Sequence, residues 1–101
     1  MKWKNIELAD IPTRKDFELL TLNLLRDGIC NSDRMREQIC NDRRLKLDRP
    51  KGGWKTASGK FINEHAWVLA NLVANRIIKK VGPKEYSLVG SQSFMHSHSH
   101  C

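Results

Sequence analysis

The sequence has 101 residues, 40% of them hydrophobic and 29% charged, which suits one small globular domain and excludes a large multidomain enzyme. Lys and Arg number 18 against 11 Asp and Glu, a formal charge of +7 that favours a polyanionic partner or a strongly solvated surface. No apolar run approaches the roughly 20 residues of a membrane-spanning helix, and the N-terminus (MKWKNIELADIP) has no signal-peptide core, so a cytoplasmic protein without a membrane partner is expected.

Residues 1–10 read as an N-terminal arm. Pro12, Thr13 and Asp16 then resemble a capping box, which predicts a helix over 13–26 with Phe17, Leu20, Leu24 and Leu25 as its apolar stripe and Gly28 as its stop. Ser32 or Asp33 is positioned to cap a second helix to about residue 41, whose stripe of Met35, Ile39 and Cys40 is thin. Residues 42–59, with Pro50, Gly52, Gly53 and Gly59, read as a long exposed loop.

The positive charge is concentrated there. Residues 34–60 hold nine basic and three acidic side chains, whereas residues 1–33 hold five and six. Basic residues clustered around Trp54 are what a phosphate-facing surface requires, because cation release from a nucleic-acid backbone drives binding without reading sequence. A solvated loop is the alternative.

The run KFINEHAWVLANLVAN predicts a third helix over 60–75. Phe61, Ile62, Ala66, Val68, Leu69, Leu72 and Val73 fill one arc, Lys60, Asn63, Glu64, Asn71 and Asn75 the other, and Trp67 lies in the middle of the polar arc. Two strands, 77–81 and 85–89, follow as a hairpin turning at Gly82, Pro83 and Lys84, with Tyr86 and Leu88 on one face. The Ser/His-rich residues 90–101 read as a disordered tail. His96, His98, His100 and Cys101 are metal-ligand types, but an incidental tail is the simpler reading, and no metal or other cofactor is expected. Cys30, Cys40 and Cys101 form no C-x-x-C pair, so reduced thiols are expected, the first two packed as small hydrophobes. His65 is expected in the core.

Three helices followed by a hairpin is the chain order of a winged helix, so the expected fold is mainly α with a small β-hairpin: three helices plus a two-stranded wing over residues 11–89. The stretches IPTRKDFELLTLNLLRDG and NEHAWVLANLVANRIIKKVGPKEYSLV resemble the N-terminal winged-helix domain of Mrr-type restriction system proteins, at Pro12, Gly28, Trp67, Leu72, Ile77, Ile78, Tyr86 and Leu88. The sequence departs from that pattern at Asn75 and Arg76, where the family usually has a small residue and Gly, and at Leu69 and Val73, which are polar in many such domains. Val89 and Gly90 also stand where a Thr usually ends the wing. In Mrr-type proteins a nuclease domain that cuts modified DNA follows. No carboxylate pair with a Glu-x-Lys arrangement occurs after residue 64, so what the resemblance implies here is the DNA-binding module alone.

On that basis the third helix would meet double-stranded DNA through Lys60, Asn63 and Asn71, since Asn pairs in bidentate fashion with adenine. Arg43, Arg44, Lys46, Arg49, Lys51 and Lys55 on the loop, with Lys79, Lys80 and Lys84 on the wing, would contact phosphates. Glu64 would repel them. The alternative is a protein-interaction module, a possible homodimer, with Leu69, Val73 and Trp67 as partner surface. The resemblance instead makes Trp67 a core residue, packed on the wing or first helix. No Gly-rich phosphate loop, nucleophile elbow or His-Glu-x-x-His motif occurs, so neither catalysis nor a small-molecule substrate is expected.

Overall fold

The computed structural model describes residues 3–47 and 57–89. Helix α1 (Arg14–Arg26) begins where the Asp16 backbone N–H donates to the Thr13 hydroxyl at 3.1 Å, one half of the expected capping box. It stops at Gly28, whose φ of +91° is a conformation that glycine adopts without strain; the Gly28 and Ile29 N–H groups donate back to the Leu25 and Leu24 carbonyls.

Helix α2 (Ser32–Arg43) is capped by Asn31 rather than by Ser32 or Asp33. The Asn31 side-chain oxygen accepts from the Asp33 and Arg34 N–H groups at 2.9 and 3.1 Å, which leaves Ser32 inside the first turn and buried. The helix runs past residue 41 and closes on Arg44 in the left-handed region (φ 57°). Leu45–Lys46 then form strand β2, paired in parallel with β1 (Lys4–Asn5).

The expected arm is therefore part of the fold. Ile6 is buried, and Leu8–Asp10 makes a 3₁₀ turn in which the Asp10 carboxylate accepts from the Glu7 N–H at 2.9 Å and pairs with Lys4 at 3.0 Å. The loop expected over 42–59 is also shorter. Residues 42–43 finish α2, 45–46 are strand, and 57–59 open helix α3 (Ala57–Ala74); residues 48–56 lie outside the described residues, as does the Ser/His tail.

Helix α3 buries Phe61, His65, Val68, Leu69 and Leu72, with Ile62 and Val73 half-buried and Ala66 exposed. Phe17 of α1 meets Phe61 edge to face, centroids 5.1 Å apart. Leu69 is 1% exposed and belongs to the core, which corrects its assignment to a partner surface. It stands four residues after His65 and three before Leu72, so a helix that buries those two buries it as well. Val73 packs against the same core.

The last turn of α3 is closed as α1 is, with the Arg76 and Ile77 N–H groups donating to the Val73 and Leu72 carbonyls. Here the left-handed residue is Arg76 (φ 62°), at the position where the resemblance expected glycine. Strands β3 (Ile78–Gly82) and β4 (Glu85–Leu88) form an antiparallel hairpin with a bulge between Lys80 and Gly82; β3 is shifted one residue onwards, so that Gly82 ends the strand rather than opening the turn, and β4 stops one residue short of the expected end. Tyr86 and Leu88 pack against the core. The hairpin is also joined to the α1–α2 connection: Asn31 bridges Glu85, the Ser32 N–H donates to the Lys84 carbonyl at 2.8 Å, and the Tyr86 N–H donates to the Cys30 carbonyl at 3.0 Å. Three helices and a two-stranded hairpin thus enclose one core. No described helix is long and apolar enough to cross a membrane.

Cys30 and Cys40 are both packed in that core. Cys40 is a free thiol, as expected, and burial pushes it up to about 11.

His65 is fully buried between helices. Its Nδ1 accepts from the Arg36 Nε–H at 3.0 Å, so Nε2 carries the proton and donates to the Thr21 hydroxyl at 3.1 Å. Burial, with the Arg36 charge beside it, pulls the imidazole down from 6.5 to about 3. On acidification the unfolded chain therefore takes up this proton first. The stability contributed by His65 is complete above pH 6.5 and is lost as pH falls towards 3, at up to about 1.4 kcal/mol per pH unit.

Urea midpoints should accordingly fall between pH 7 and 5, and fall less in His65→Gln, whose amide can accept from Arg36 and donate to Thr21 without titrating. Parallel curves would refute a buried neutral imidazole. Arg76→Gly should raise stability by about 1 kcal/mol through relief of the left-handed strain, read as a higher urea midpoint at unchanged slope; no gain would show that the arginine backbone is unstrained.

Candidate nucleic-acid interface

Helix α3 carries the densest set of expected contact residues. On the side facing away from its buried residues, Lys60, Asn63 and Trp67 are exposed and Asn71 is half-buried; Ala66, Ala70 and Ala74 leave the backbone open between them. Asn63, Trp67 and Asn71 recur every four residues and form one row along the helix. Asn75 lies exposed just past its end.

Trp67 is 45% exposed, so the core position implied by the resemblance does not hold. What the first helix supplies to it is a charge: the Arg14 guanidinium lies 3.8 Å over the indole ring. The same guanidinium donates to both Glu64 oxygens, Nε to Oε1 at 2.7 Å and Nη2 to Oε2 at 3.4 Å. That hydrogen bond holds the Glu64 carboxyl below the ordinary carboxylate range against the opposing effect of burial. The acid expected to repel phosphate is therefore already neutralised.

The expected phosphate contacts divide. Lys79 and Lys80 are exposed on β3. Lys84, at the hairpin turn, pairs with Asp33 of α2 at 3.1 Å, so it also ties the turn to that helix. Arg43 and Arg44 are exposed at the end of α2 and Lys46 on β2, beside the paired N-terminal strand rather than on an open loop. Arg49, Lys51, Lys55 and Trp54 lie outside the described residues.

The exposed cations outside the expected contact set include Arg14, Arg34 and Arg76. Arg76 had a signal, since it replaces an expected glycine. Arg14 had none, because its partners lie some 50 residues away in the chain. Among the described residues Lys60, Arg76, Lys79 and Lys80 enter no ion pair.

Other chemistries find less to work with. Among the described residues no group of three His, Cys, Asp or Glu side chains gathers as a metal site, and the expected tail ligands lie outside them. An open cleft of about 420 Å³ is lined by Trp3, Glu37, Cys40, Asn41, Leu45, Lys46 and Leu47. Its thiol is raised by burial, which lowers the share of thiolate near neutral pH.

No family model matches this chain, and no curated protein or solved structure matches it either.

Arg14→Ala should return the Glu64 titration midpoint upwards towards the ordinary carboxylate range, as followed by NMR of its side-chain carboxyl carbon. The accompanying loss of stability should stay within about 1 kcal/mol, because the pair is exposed on the Arg14 side. An unmoved Glu64 midpoint would show that the ion pair does not form in solution.

Proposed function

We propose that this protein is a winged-helix module that binds double-stranded DNA, with α3 in the major groove and the surrounding cations on phosphates. One observation carries the reading. The exposed side of α3, the turn after it and the strand that follows hold four cations without ion-pair partners among the described residues, while the one acid on that helix is neutralised by Arg14. Phosphate binding requires such a surface, since each cation placed on the backbone releases condensed counterions.

The element order supports the same reading. The hairpin follows α3 directly and is bonded to the α1–α2 connection, an order and attachment that suit a wing beside a recognition helix. The resemblance to the N-terminal domain of Mrr-type restriction system proteins fits a recognition part of a restriction, defence or mobile-element system, or a regulator. The rival, a protein-interaction module, is weakened: Leu69 is in the core and Val73 is half-buried, which leaves Trp67 alone of the three surface residues assigned to it.

Fluorescence anisotropy with a random-sequence duplex tests the proposal. Affinity should fall as salt rises, and Lys60→Glu/Lys79→Glu/Lys80→Glu should flatten the log–log salt slope by roughly 0.9 for each phosphate contact removed. Absence of binding at low salt by the folded protein, or a slope unchanged in the triple variant, would overturn it.

A further inference from the structure

We infer that the row Asn63, Trp67, Asn71 reads A·T base pairs in the major groove, so that the ligand is an A·T-containing duplex rather than duplex DNA in general. The inference rests on the reading just proposed and adds the base preference to it.

The chemistry of the row decides between the base pairs. An Asn amide offers one donor and one acceptor side by side, which complement the adenine N7 acceptor and N6 donor. Guanine presents two acceptors in the same groove and calls for two donors, which Arg or Lys supplies. Helix α3 contains no Arg, and its single cation, Lys60, precedes the row. Neither Asn63 nor Asn71 spends its side-chain amide on another described residue. Both are available.

Between them stands Trp67, the one large apolar side chain on this side of the helix, held by the guanidinium over its ring. In the major groove the apolar feature of an A·T pair is the thymine C5-methyl group, and an indole edge can cover it. Adjacent members of the row are about 6 Å apart along the helix axis, so the three together span roughly 12 Å, the rise of three to four base pairs. Alternating amide, apolar and amide contacts at that spacing fit a short run of A·T pairs. The positive surroundings, with Lys79 and Lys80 exposed on the adjoining strand, complement its phosphates.

Competition anisotropy against a fluorescein-labelled random duplex separates the possibilities. Four unlabelled competitors share length and flanks and differ only in a central block: mixed A·T; mixed G·C; A·T with deoxyuridine for thymidine, which lacks the methyl group; and A·T with 7-deazaadenine, which lacks N7. The A·T block should compete roughly tenfold better than the G·C block, and both modified blocks should lose part of that advantage. Asn63→Ala/Asn71→Ala should bring the A·T and G·C blocks level while the salt slope is kept, which also shows that the variant is folded.

Salt-dependent binding with equal competition by all four would overturn the base preference and leave the DNA reading standing. An A·T advantage that survives both modified blocks and the double variant would come from groove shape, and would overturn it too. No binding of any duplex would remove the DNA reading and the base preference with it.

Discussion

Arg36 and His65 can share a hydrogen bond only while the imidazole is neutral, because the guanidinium is always a donor and His65 must supply the lone pair. That requirement fixes the tautomer, and the tautomer fixes what the other nitrogen does: Nε2 donates to Thr21 of α1. From Arg36 the chain of contacts continues through Asp33 at 3.1 Å to Lys84 at the hairpin turn. All three helices and the turn are thereby joined through polar atoms, the innermost of which lie in the core. Leaving any buried member without its partner costs about 1–3 kcal/mol, so the helices cannot slide past one another without breaking it.

The same helix is held again on its outer side. His65 and Trp67 are two residues apart and point about 200° away from each other, one into α1 and α2, the other under the Arg14 guanidinium. The outer contact, exposed and screened, contributes little to stability. Its effect is on order: an indole with a guanidinium over one face and a bidentate carboxylate holding that guanidinium has few rotamers left. The inner contacts set where α3 lies, and the outer ones set what its exposed row presents.

Much of this was legible in the sequence because it is local. Thr13 and Gly28 mark the ends of α1 through bonds that span three to five residues, and the apolar arc of α3 follows from its period. Asn31 was missed in favour of Ser32 and Asp33 because three consecutive residues are all good caps and only one can take the extended backbone. Strands β1 and β2 are two residues each, too short to show a period, and they pair across some 40 residues of chain. Of the expected contact residues, Lys60, Asn63, Asn71, Lys79 and Lys80 lie together on α3 and β3 because helical and strand spacing placed them, whereas the loop cations divided once α2 and β2 took their share. Trp67 and Leu69 exchanged roles for the same reason in both cases: position on the helix circumference outweighed the pattern of the resembled family. His65, by contrast, was placed correctly in the core, but its partners come from two other helices and have no signature in its own sequence neighbourhood.

The acids explain why one surface remains positive. Asp10 is engaged by Lys4, Asp33 by Arg36 and Lys84, and Glu64 by Arg14, so each stabilises a junction between segments and in doing so gives up its negative field. Unpaired acids such as Asp16, Glu18 and Asp27 belong to α1 and its C-cap, while α3 and β3 retain Lys60, Lys79 and Lys80 with Arg76 between them. Field and fold are therefore set by the same pairs. A net charge of +7 would be diffuse if opposite charges were scattered. Here pairing removes the carboxylate from the one helix that exposes Asn and Trp, and on the proposed reading that helix can approach a phosphate-lined groove without carrying a repulsive charge into it.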